Sequence, residues 1–198
     1  GDQECVEALC QRLDIPLHTM QLNVRNRARG TSLQAAARDV RYSGLTAIAH
    51  QCGADRIAVG HTADDQAETV LLWMLRGAGL SGLSGMPACR DGIIVRPLYE
   101  VRRREILAYL QSEALSFRHD SSNDKPIYLR NRIRHEIIPA LQRVSPASVK
   151  ALCRLADVCR EDDGYLNGHV AALSADRIDR LPGGEQMIER SFLRDLPL

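Results

Sequence analysis

Residues 53–69, GADRIAVGHTADDQAET, contain the turn from strand to helix that decides the fold. Residues 55–60 are apolar at their centre and typical of a short buried strand, and His61 follows at its carboxyl end. We expect a helix to begin near Asp64, because Asp64 and Asp65 suit the positive end of a helix dipole. In open α/β sheets ligands bind outside the carboxyl ends of the strands, so this turn is the predicted functional site.

Outward from this turn, predicted helices and strands alternate along the chain. Apolar periodicity predicts helices at 4–13, 32–52, 64–76 and 102–113, and strands at 17–24, 55–60 and 92–95. This order indicates an α/β fold with an open parallel sheet. The glycines of residues 77–85 are interpreted as a flexible stretch in which backbones pass closely. A phosphate-binding loop would follow a strand, and no strand is predicted before these glycines.

The remainder of the chain is predicted to be helical. Helices are expected at 128–141 (broken at Pro139), at 146–175 and at 186–194. We place a domain boundary near residues 143–146. It separates an α/β domain, residues 1–143, from a small all-helical domain, residues 144–198.

Composition narrows the class of protein. The 198 residues carry a formal net charge of +1, which gives no overall signal for nucleic acid or membrane. None of the six cysteines forms a C-x-x-C pair, which argues against a zinc ribbon, an iron–sulfur clamp or a thioredoxin motif. Since the sequence has neither a membrane-spanning apolar run nor a signal peptide, we expect a cytoplasmic protein with reduced cysteines.

The residues after the predicted strand can support chemistry. Asp65, Glu68 and Thr69 would share one helix face, because they are spaced at i, i+3 and i+4. Two carboxylates with His61 can hold an ammonium group, coordinate magnesium or act as a base. A helix cap with a solvated acidic first turn, beside a structural histidine at a strand end, explains the same pattern. The residues alone leave both interpretations open.

Three blocks of the sequence resemble the tRNA(Ile)-lysidine synthetases. Residues 53–86, GADRIAVGHTADDQAETVLLWMLRGAGLSGLSGM, are similar to the second signature of that family, and residues 32–42, SLQAAARDVRY, to the segment upstream of it. Residues 120–141, DSSNDKPIYLRNRIRHEIIPAL, resemble its anticodon-side motif. The synthetases belong to the PP-loop ATP pyrophosphatase superfamily, so the resemblance implies an α/β fold of adenine-nucleotide α-hydrolase (PP-loop) type.

This resemblance implies a ligase that uses ATP, with Mg²⁺, to attach lysine to the wobble cytidine of a minor isoleucine tRNA through an adenylated base. It implies that Asp65 and Glu68 are catalytic and, with His61, bind the substrate lysine. It implies that Arg41 and His61 contact ATP. Four residues would contact tRNA: Arg130, Asn131, Arg132 and Arg134. The helical domain, residues 144–198, is expected to help bind the tRNA. No side chain is predicted to bind the metal directly, because magnesium sites are mostly water and phosphate.

Some of these side chains also have ordinary structural interpretations. Arg41 can form a surface salt bridge on its amphipathic helix, and the arginines of residues 130–134 can form a solvated helix face. The superfamily's phosphate loop, Ser-Gly-Gly-x-Asp-Ser, does not occur in the sequence. Such loops hold phosphates through backbone N–H groups and a helix dipole. We therefore expect the loop to lie upstream of Gly1, and the 198-residue chain to be inactive without it.

Two other functions remain as alternatives. One is another PP-loop tRNA-modifying enzyme, such as a thiolase, which usually needs catalytic cysteines or a C-x-x-C-held cluster. The other is a non-catalytic RNA-binding module. The expected partners are tRNA, lysine and ATP, with no membrane, and a homodimer is one expectation for the oligomeric state.

Overall fold

The computed structural model describes residues 2–23, 33–115, 117, 129–175, 177–180, 184–188 and 190–194. Two compact units make up the chain. The first combines Gly1–Ala63 with Pro87–Lys125, and the second combines Asp64–Met86 with Pro126–Leu198.

The described residues form both helices and short strands. The helices are α1 (Asp2–Leu13), α2 (Leu33–Gln51), α3 (Ala63–Met74), α4 (Leu80–Leu83), α5 (Arg103–Ser112), α6 (Leu129–Arg132), a π-helical turn (Ile133–Ile137), α7 (Ile138–Val144), α8 (Ser148–Ser174) and α9 (Arg190–Arg194). The strands are β1 (Ile57–Ala58), β2 (Cys89–Arg90), β3 (Ile94–Val95), β4 (Ile178–Arg180) and β5 (Gln186–Ile188). No described helix is long and apolar enough to cross a bilayer.

A three-stranded sheet lies in the first unit, in the order β1-β3-β2. β1 and β3 are parallel, with Ile57 opposite Ile94, as expected for two strands whose connection contains a helix. β2 pairs antiparallel with β3 and was not predicted, because Cys89–Arg90 has neither an apolar run nor the alternation that indicates a strand. Ile57, Ile94 and, on α2, Val40 are among the buried residues of this unit.

The strand predicted at 17–24 is wrong for its described residues, 17–23, which lie in no strand. Leu17, Met20 and Leu22 are all exposed. Alternation favours a strand only where a neighbouring strand accepts its backbone hydrogen bonds, and residues 17–23 have no such neighbour among the described residues. Val24 and the predicted helix cap, Thr31 or Ser32, lie outside the described residues.

The second unit has its own apolar core. Ala67 and Leu71, one turn apart on α3, are buried together with Ile133, Ile138 and Val149. These residues come from α3, the π-helical turn, α7 and α8 respectively, so the core joins helices on both sides of residues 143–146. The boundary predicted there does not coincide with the division into units, because α7 packs against α8. A separate role for residues 144–198 stays a prediction.

The helix predicted at 128–141 does not break at Pro139 as expected. α6, the π-helical turn and α7 follow one another without a gap, and Pro139 lies in the first turn of α7. A proline ring displaces the carbonyl of the preceding turn and removes one backbone donor. The wider π-helical turn directly before Pro139 accommodates both changes.

The end of the chain is only partly helical. A helix was predicted at 186–194, but β5 occupies its first three residues and pairs antiparallel with β4, with Ile178 opposite Ile188. Gly184, just before β5, has a φ of +84°, which favours glycine. The tail predicted to be all helical therefore contains a hairpin before the short helix α9, while α8 confirms the long helix predicted at 146–175.

Candidate functional site

Helix α3 carries the two predicted catalytic carboxylates on one face. Asp65 and Glu68 lie three residues apart in its first two turns. The Glu68 side chain is 2% exposed, whereas that of Asp65 is 20% exposed. The Thr69 hydroxyl donates a hydrogen bond to the backbone oxygen of Asp65 at 2.8 Å, so it serves the helix rather than the carboxylates.

Two arginines from the helix that begins at Leu129 neutralise Glu68. Arg134 donates from Nε to Glu68 Oε1 at 2.6 Å and from Nη2 to Oε2 at 2.9 Å. Arg130 donates from Nε to Oε2 at 3.0 Å. The bidentate contact with Arg134 matches the planar fork of a guanidinium to a carboxylate. A carboxylate this deeply buried is stable in its ionised form only with such partners.

Asp65 shares the same two arginines. Its Oδ1 lies 3.1 Å from Arg134 Nη2 and 3.6 Å from Arg130 Nη2. Asp65, Glu68, Arg130 and Arg134 together are called the carboxylate–guanidinium cluster. It contains two negative and two positive charges, all within the second unit. The cluster is a preorganised charged surface whose Asp65 edge reaches solvent.

The electrostatics of the cluster favour the charged form of Arg134. Desolvation by burial is the largest single influence and lowers the pKa of Arg134. The hydrogen bond to Glu68 and the charges of Glu68, Asp65 and Asp64 outweigh it, so the pKa of Arg134 is raised above its ordinary value. Arg134 is therefore a permanent cation.

The four predicted tRNA-binding residues do not face the same way. Arg130 and Arg134 contact the carboxylates of α3, as described above. Arg132 instead pairs with Glu136, 3.4 Å away, and both side chains are more than half exposed. Asn131 is half-buried. Arg132 thus fits the alternative of a solvated helix face, whereas Arg130 and Arg134 do not.

His61 and Arg41, the residues predicted to contact ATP, belong to the first unit. His61 follows β1, as predicted, and is half-buried. Arg41 is exposed on α2, and its guanidinium carbon lies 5.9 Å from the centre of the Tyr42 ring. Arg41 forms no ion pair with any residue that the structure describes, so the salt bridge considered for it is not seen.

Gln66 is a structural residue of this site that the sequence analysis missed. Its side chain is fully buried, and its Oε1 accepts a hydrogen bond from the backbone N of Met86 at 2.8 Å. Gly85 has a φ of +61°, and a Cβ there would lie 2.6 Å from Gln66 Nε2. The sequence did contain a signal for this role. Gln66 lies four residues before Val70 and so shares its helix face, which is apolar and has to be buried.

The glycine-rich segment 77–85 is docked rather than flexible. It contains α4, which packs against α8. From α8, Arg160 Nη2 donates to the carbonyl oxygens of Ser84 and Met86, at 2.5 and 3.2 Å. The Ser81 hydroxyl donates to Asp163 at 2.6 Å. The close approach at Gly85 is between its backbone and the Gln66 side chain, and not between two backbones as predicted.

Comparison with known proteins places residues 1–141 in a family described as the PP-loop domain. The tRNA(Ile)-lysidine synthase of Porphyromonas gingivalis is 42% identical over 155 residues, 77% of this chain and 34% of that protein. That of Geobacter sulfurreducens is 41% identical over 169 residues, 84% and 36% of the two chains, and that of Thermus thermophilus is 41% identical over 174 residues, 86% and 34%. The chain thus spans about a third of the length of these curated relatives.

Among solved structures, the U34-tRNA thiolase NcsA from Methanococcus maripaludis, with its 4Fe–4S cluster, superposes with a TM-score of 0.64. It is 16% identical and is matched over 80% of this chain and 55% of its own. At this identity the likeness concerns the fold, which is the α/β class expected from the sequence. With the family model matching residues 1–141 of 198, the chain belongs to the PP-loop domain family.

Proposed function

We propose that this chain is part of an ATP-dependent ligase that attaches lysine to the wobble cytidine of a minor isoleucine tRNA, through an adenylated base. The observation that carries the proposal is the 42% identity, over 77% of this chain, to a relative named tRNA(Ile)-lysidine synthase. The carboxylate–guanidinium cluster supports it, because two carboxylates in a partly dry site suit the capture of an ammonium group.

Within this proposal Asp65 contacts the lysine first. Its carboxylate edge is 20% exposed, and its ion pair with Arg130 is long, at 3.6 Å. The amine attacks only after the ammonium loses a proton, and Asp65 accepts that proton. The amine nitrogen then bonds to the base carbon, and the bond from that carbon to the adenylated oxygen breaks to release AMP. His61 is proposed to help bind lysine and ATP.

Glu68 is proposed to serve both as a catalytic carboxylate and as the residue that positions the arginines. Both of its oxygens already accept hydrogen bonds from Arg130 and Arg134. An incoming cation would have to displace one of these arginines, which would then be free to contact the phosphate of AMP or the tRNA. Glu68 therefore couples lysine binding to release of a guanidinium.

Magnesium and tRNA complete the proposal. The described residues contain no group of three or more His, Cys, Asp or Glu that could hold a metal ion. Mg²⁺ is therefore proposed to bind mainly to the phosphates of ATP, with Arg41 beside them. When bound, Mg²⁺ neutralises the charge of the departing pyrophosphate. Arg132, with its exposed side chain, is proposed to contact tRNA together with Asn131, Arg130 and Arg134.

A thiolase-type reaction is the second candidate, favoured by the fold likeness alone. That structure contains a 4Fe–4S cluster, whereas the six cysteines of this chain include no C-x-x-C pair. The third candidate, a non-catalytic RNA-binding module, predicts tRNA binding without any transfer of lysine.

The test is incorporation of radiolabelled lysine into the minor isoleucine tRNA by the full-length protein. A matched tRNA carries uridine instead of the wobble cytidine. Incorporation that requires both ATP and the cytidine is expected. Absence of incorporation, with tRNA binding intact, would refute the ligase and favour the binding module.

A variant pair tests the role of Asp65. Asp65→Asn should lower the rate of lysine transfer by at least about 100-fold, the usual contribution of a positioned base. Glu136→Gln is the matched control, because it removes an exposed carboxylate that pairs with Arg132 and lies outside the carboxylate–guanidinium cluster. Equal rates in the two variants would exclude Asp65 as the base.

A further inference from the structure

Three arginines surround one tyrosine ring in the first unit. Arg38 and Arg41 on α2 place their guanidinium carbons 5.6 and 5.9 Å from the centre of the Tyr42 ring. Arg90 on β2 lies closer, at 4.6 Å. Arg38, Arg41, Tyr42 and Arg90 are called the arginine–tyrosine patch. All four residues belong to the same unit, so its geometry is internal to that unit.

The positive charge of this patch is poorly compensated. Arg38 and Arg41 form no ion pair with any residue in the described part of the chain. Arg90 Nε lies 3.5 Å from Asp91 Oδ2, but the Asp91 side chain is 78% exposed, so the pair is largely screened by water. Guanidiniums gathered around one ring lie within about a Debye length, ~10 Å at 0.1 M salt, and reinforce a positive potential.

The side-chain chemistry of the patch fits a particular ligand. A guanidinium binds phosphate oxygens through its planar fork and also stacks on aromatic and base rings. Positive side chains beside aromatic rings are common where proteins bind nucleic-acid strands, and here the guanidiniums around the half-buried Tyr42 ring can contact phosphates. A free aliphatic carboxylate would use the charge but not the rings.

We propose that the arginine–tyrosine patch binds the sugar–phosphate backbone of an RNA strand. The inference rests on the proposed function in taking tRNA as that RNA, and it adds a contact surface on the first unit. Arg38, Tyr42 and Arg90 have no role in the site described above. Only Arg41 overlaps with it, through its expected contact with ATP.

The geometry favours a polymer over a mononucleotide. A bound nucleotide is usually held by consecutive backbone N–H groups at a helix N-terminus. The patch offers side-chain donors from the interior of α2 and from a sheet strand, with no such ring of backbone donors. Three side-chain cations around one ring, two of them exposed and Arg90 half-buried, suit neighbouring phosphates of a polymer chain. The sequence before α2 is also basic, with Arg25, Arg27 and Arg29, although the patch is defined by its four residues alone.

The test measures tRNA affinity against salt concentration for the full-length protein and for the double variant Arg38→Gln/Arg90→Gln. The probe is a transcript of the minor isoleucine tRNA. The slope of log K against log salt is negative, and each lost phosphate contact should reduce its magnitude by about 0.7–0.9. The double variant should therefore have a slope about 1.5 smaller in magnitude than the wild type. Its affinity at 0.1 M salt should fall about tenfold. Arg38→Lys/Arg90→Lys keeps the charges and should keep most of the slope.

Arg76→Gln is the matched control. Arg76 also lies over an aromatic ring, 5.3 Å from the centre of Trp73, but as a single cation. The Arg76→Gln variant should have the same salt slope as the wild type. Circular dichroism melting of each variant shows whether the fold is kept, and the lysine double variant distinguishes loss of charge from loss of structure.

The outcomes separate this inference from the proposed function. An unchanged slope in the glutamine double variant, with tRNA binding by the wild type intact, overturns the inference. Loss of ATP affinity without loss of tRNA affinity also overturns it, since the phosphate would then be that of ATP. A reduced slope in a protein that transfers no lysine supports the inference while refuting the ligase. Absence of tRNA binding by the wild type refutes both.

Discussion

Replacing Glu68 with glutamine tests the carboxylate–guanidinium cluster most directly. The substitution keeps the size of the side chain and removes its charge. Three hydrogen bonds from two guanidiniums, of 2.6, 2.9 and 3.0 Å, lose their ionised acceptor. The NH2 group that replaces one oxygen is itself a donor, so it cannot accept the hydrogen bonds of the guanidiniums that face it. Arg130 and Arg134 are then left with Asp65 as their shared carboxylate within the cluster.

The exposure of each partner sets the size of the effect. Removing one partner of a fully buried ion pair costs about 3–5 kcal/mol, whereas an exposed pair contributes about 0–1 kcal/mol. Glu68 is 2% exposed, but the side chains of Arg130 and Arg134 are 37% and 23% exposed and can partly recover hydration. We therefore expect Glu68→Gln to lower the free energy of unfolding by about 2–3 kcal/mol.

Urea unfolding of the 198-residue chain, followed by circular dichroism, measures this loss through the shift of the midpoint at constant slope. Glu136→Gln removes a carboxylate that also pairs with an arginine, but at 53% exposure, and should cost less than about 0.5 kcal/mol. A double-mutant cycle of Glu68→Gln with Arg134→Gln should give a coupling of about 1–3 kcal/mol. Equal effects of Glu68→Gln and Glu136→Gln, or zero coupling, would show that the cluster does not form in solution.

Two further predictions concern the same unit. Gly85→Ala should destabilise the protein by about 2–4 kcal/mol in urea unfolding, because its Cβ would lie 2.6 Å from the buried Gln66 amide at a φ of +61°. Gly164→Ala, with open space around it on α8, should stabilise the protein by about 0.5–1 kcal/mol. Equal effects of the two substitutions would argue against the close approach of Gly85 to Gln66. Because its pKa is raised in the folded state, Arg134 contributes its full stability at all pH values up to the strongly alkaline range and loses it only as pH rises through the folded pKa. The free energy of unfolding of Arg134→Lys should therefore fall relative to wild type near pH 10, where lysine titrates at about 10.4, and a constant difference from pH 7 to pH 11 would contradict this.

Local patterns predicted the elements that position the site. The strand at Ile57–Ala58 and the start of α3 at Ala63 follow from a short apolar run and an acidic first turn, both readable within a dozen residues. Residues 17–23 of the predicted strand form no strand, and the first three residues of the helix predicted at 186–194 form β5, because strand formation depends on a partner that periodicity does not identify. Gln66 was missed for a similar reason, since its partner, Met86, lies twenty residues away.

The pairing within the cluster was harder to predict. Asp65 and Glu68 were expected to share a face at i, i+3, and Arg130 and Arg134 are four residues apart on another helix. The acidic face and the basic face are complementary in charge. Their residues are 62 or more positions apart in the sequence, so local patterns do not show that the two faces meet. From the sequence, the carboxylates were expected to contact lysine and the arginines to contact tRNA. The structure adds that they neutralise each other, and their substrate contacts stay predictions.

The π-helical turn at Ile133–Ile137 has a consequence for how this protein can change over evolution. A π-helical turn corresponds to one residue inserted into an α-helix. Deleting one residue there would let the backbone continue as a regular α-helix, and because the wide turn had absorbed that residue, the later residues would keep about the same orientation relative to Arg130. Ile138 would then stay in the apolar core of the second unit. A one-residue gap in a relative at this point would therefore mark a change from a π-helical to an α-helical turn, with the same helix faces and the same core beneath it.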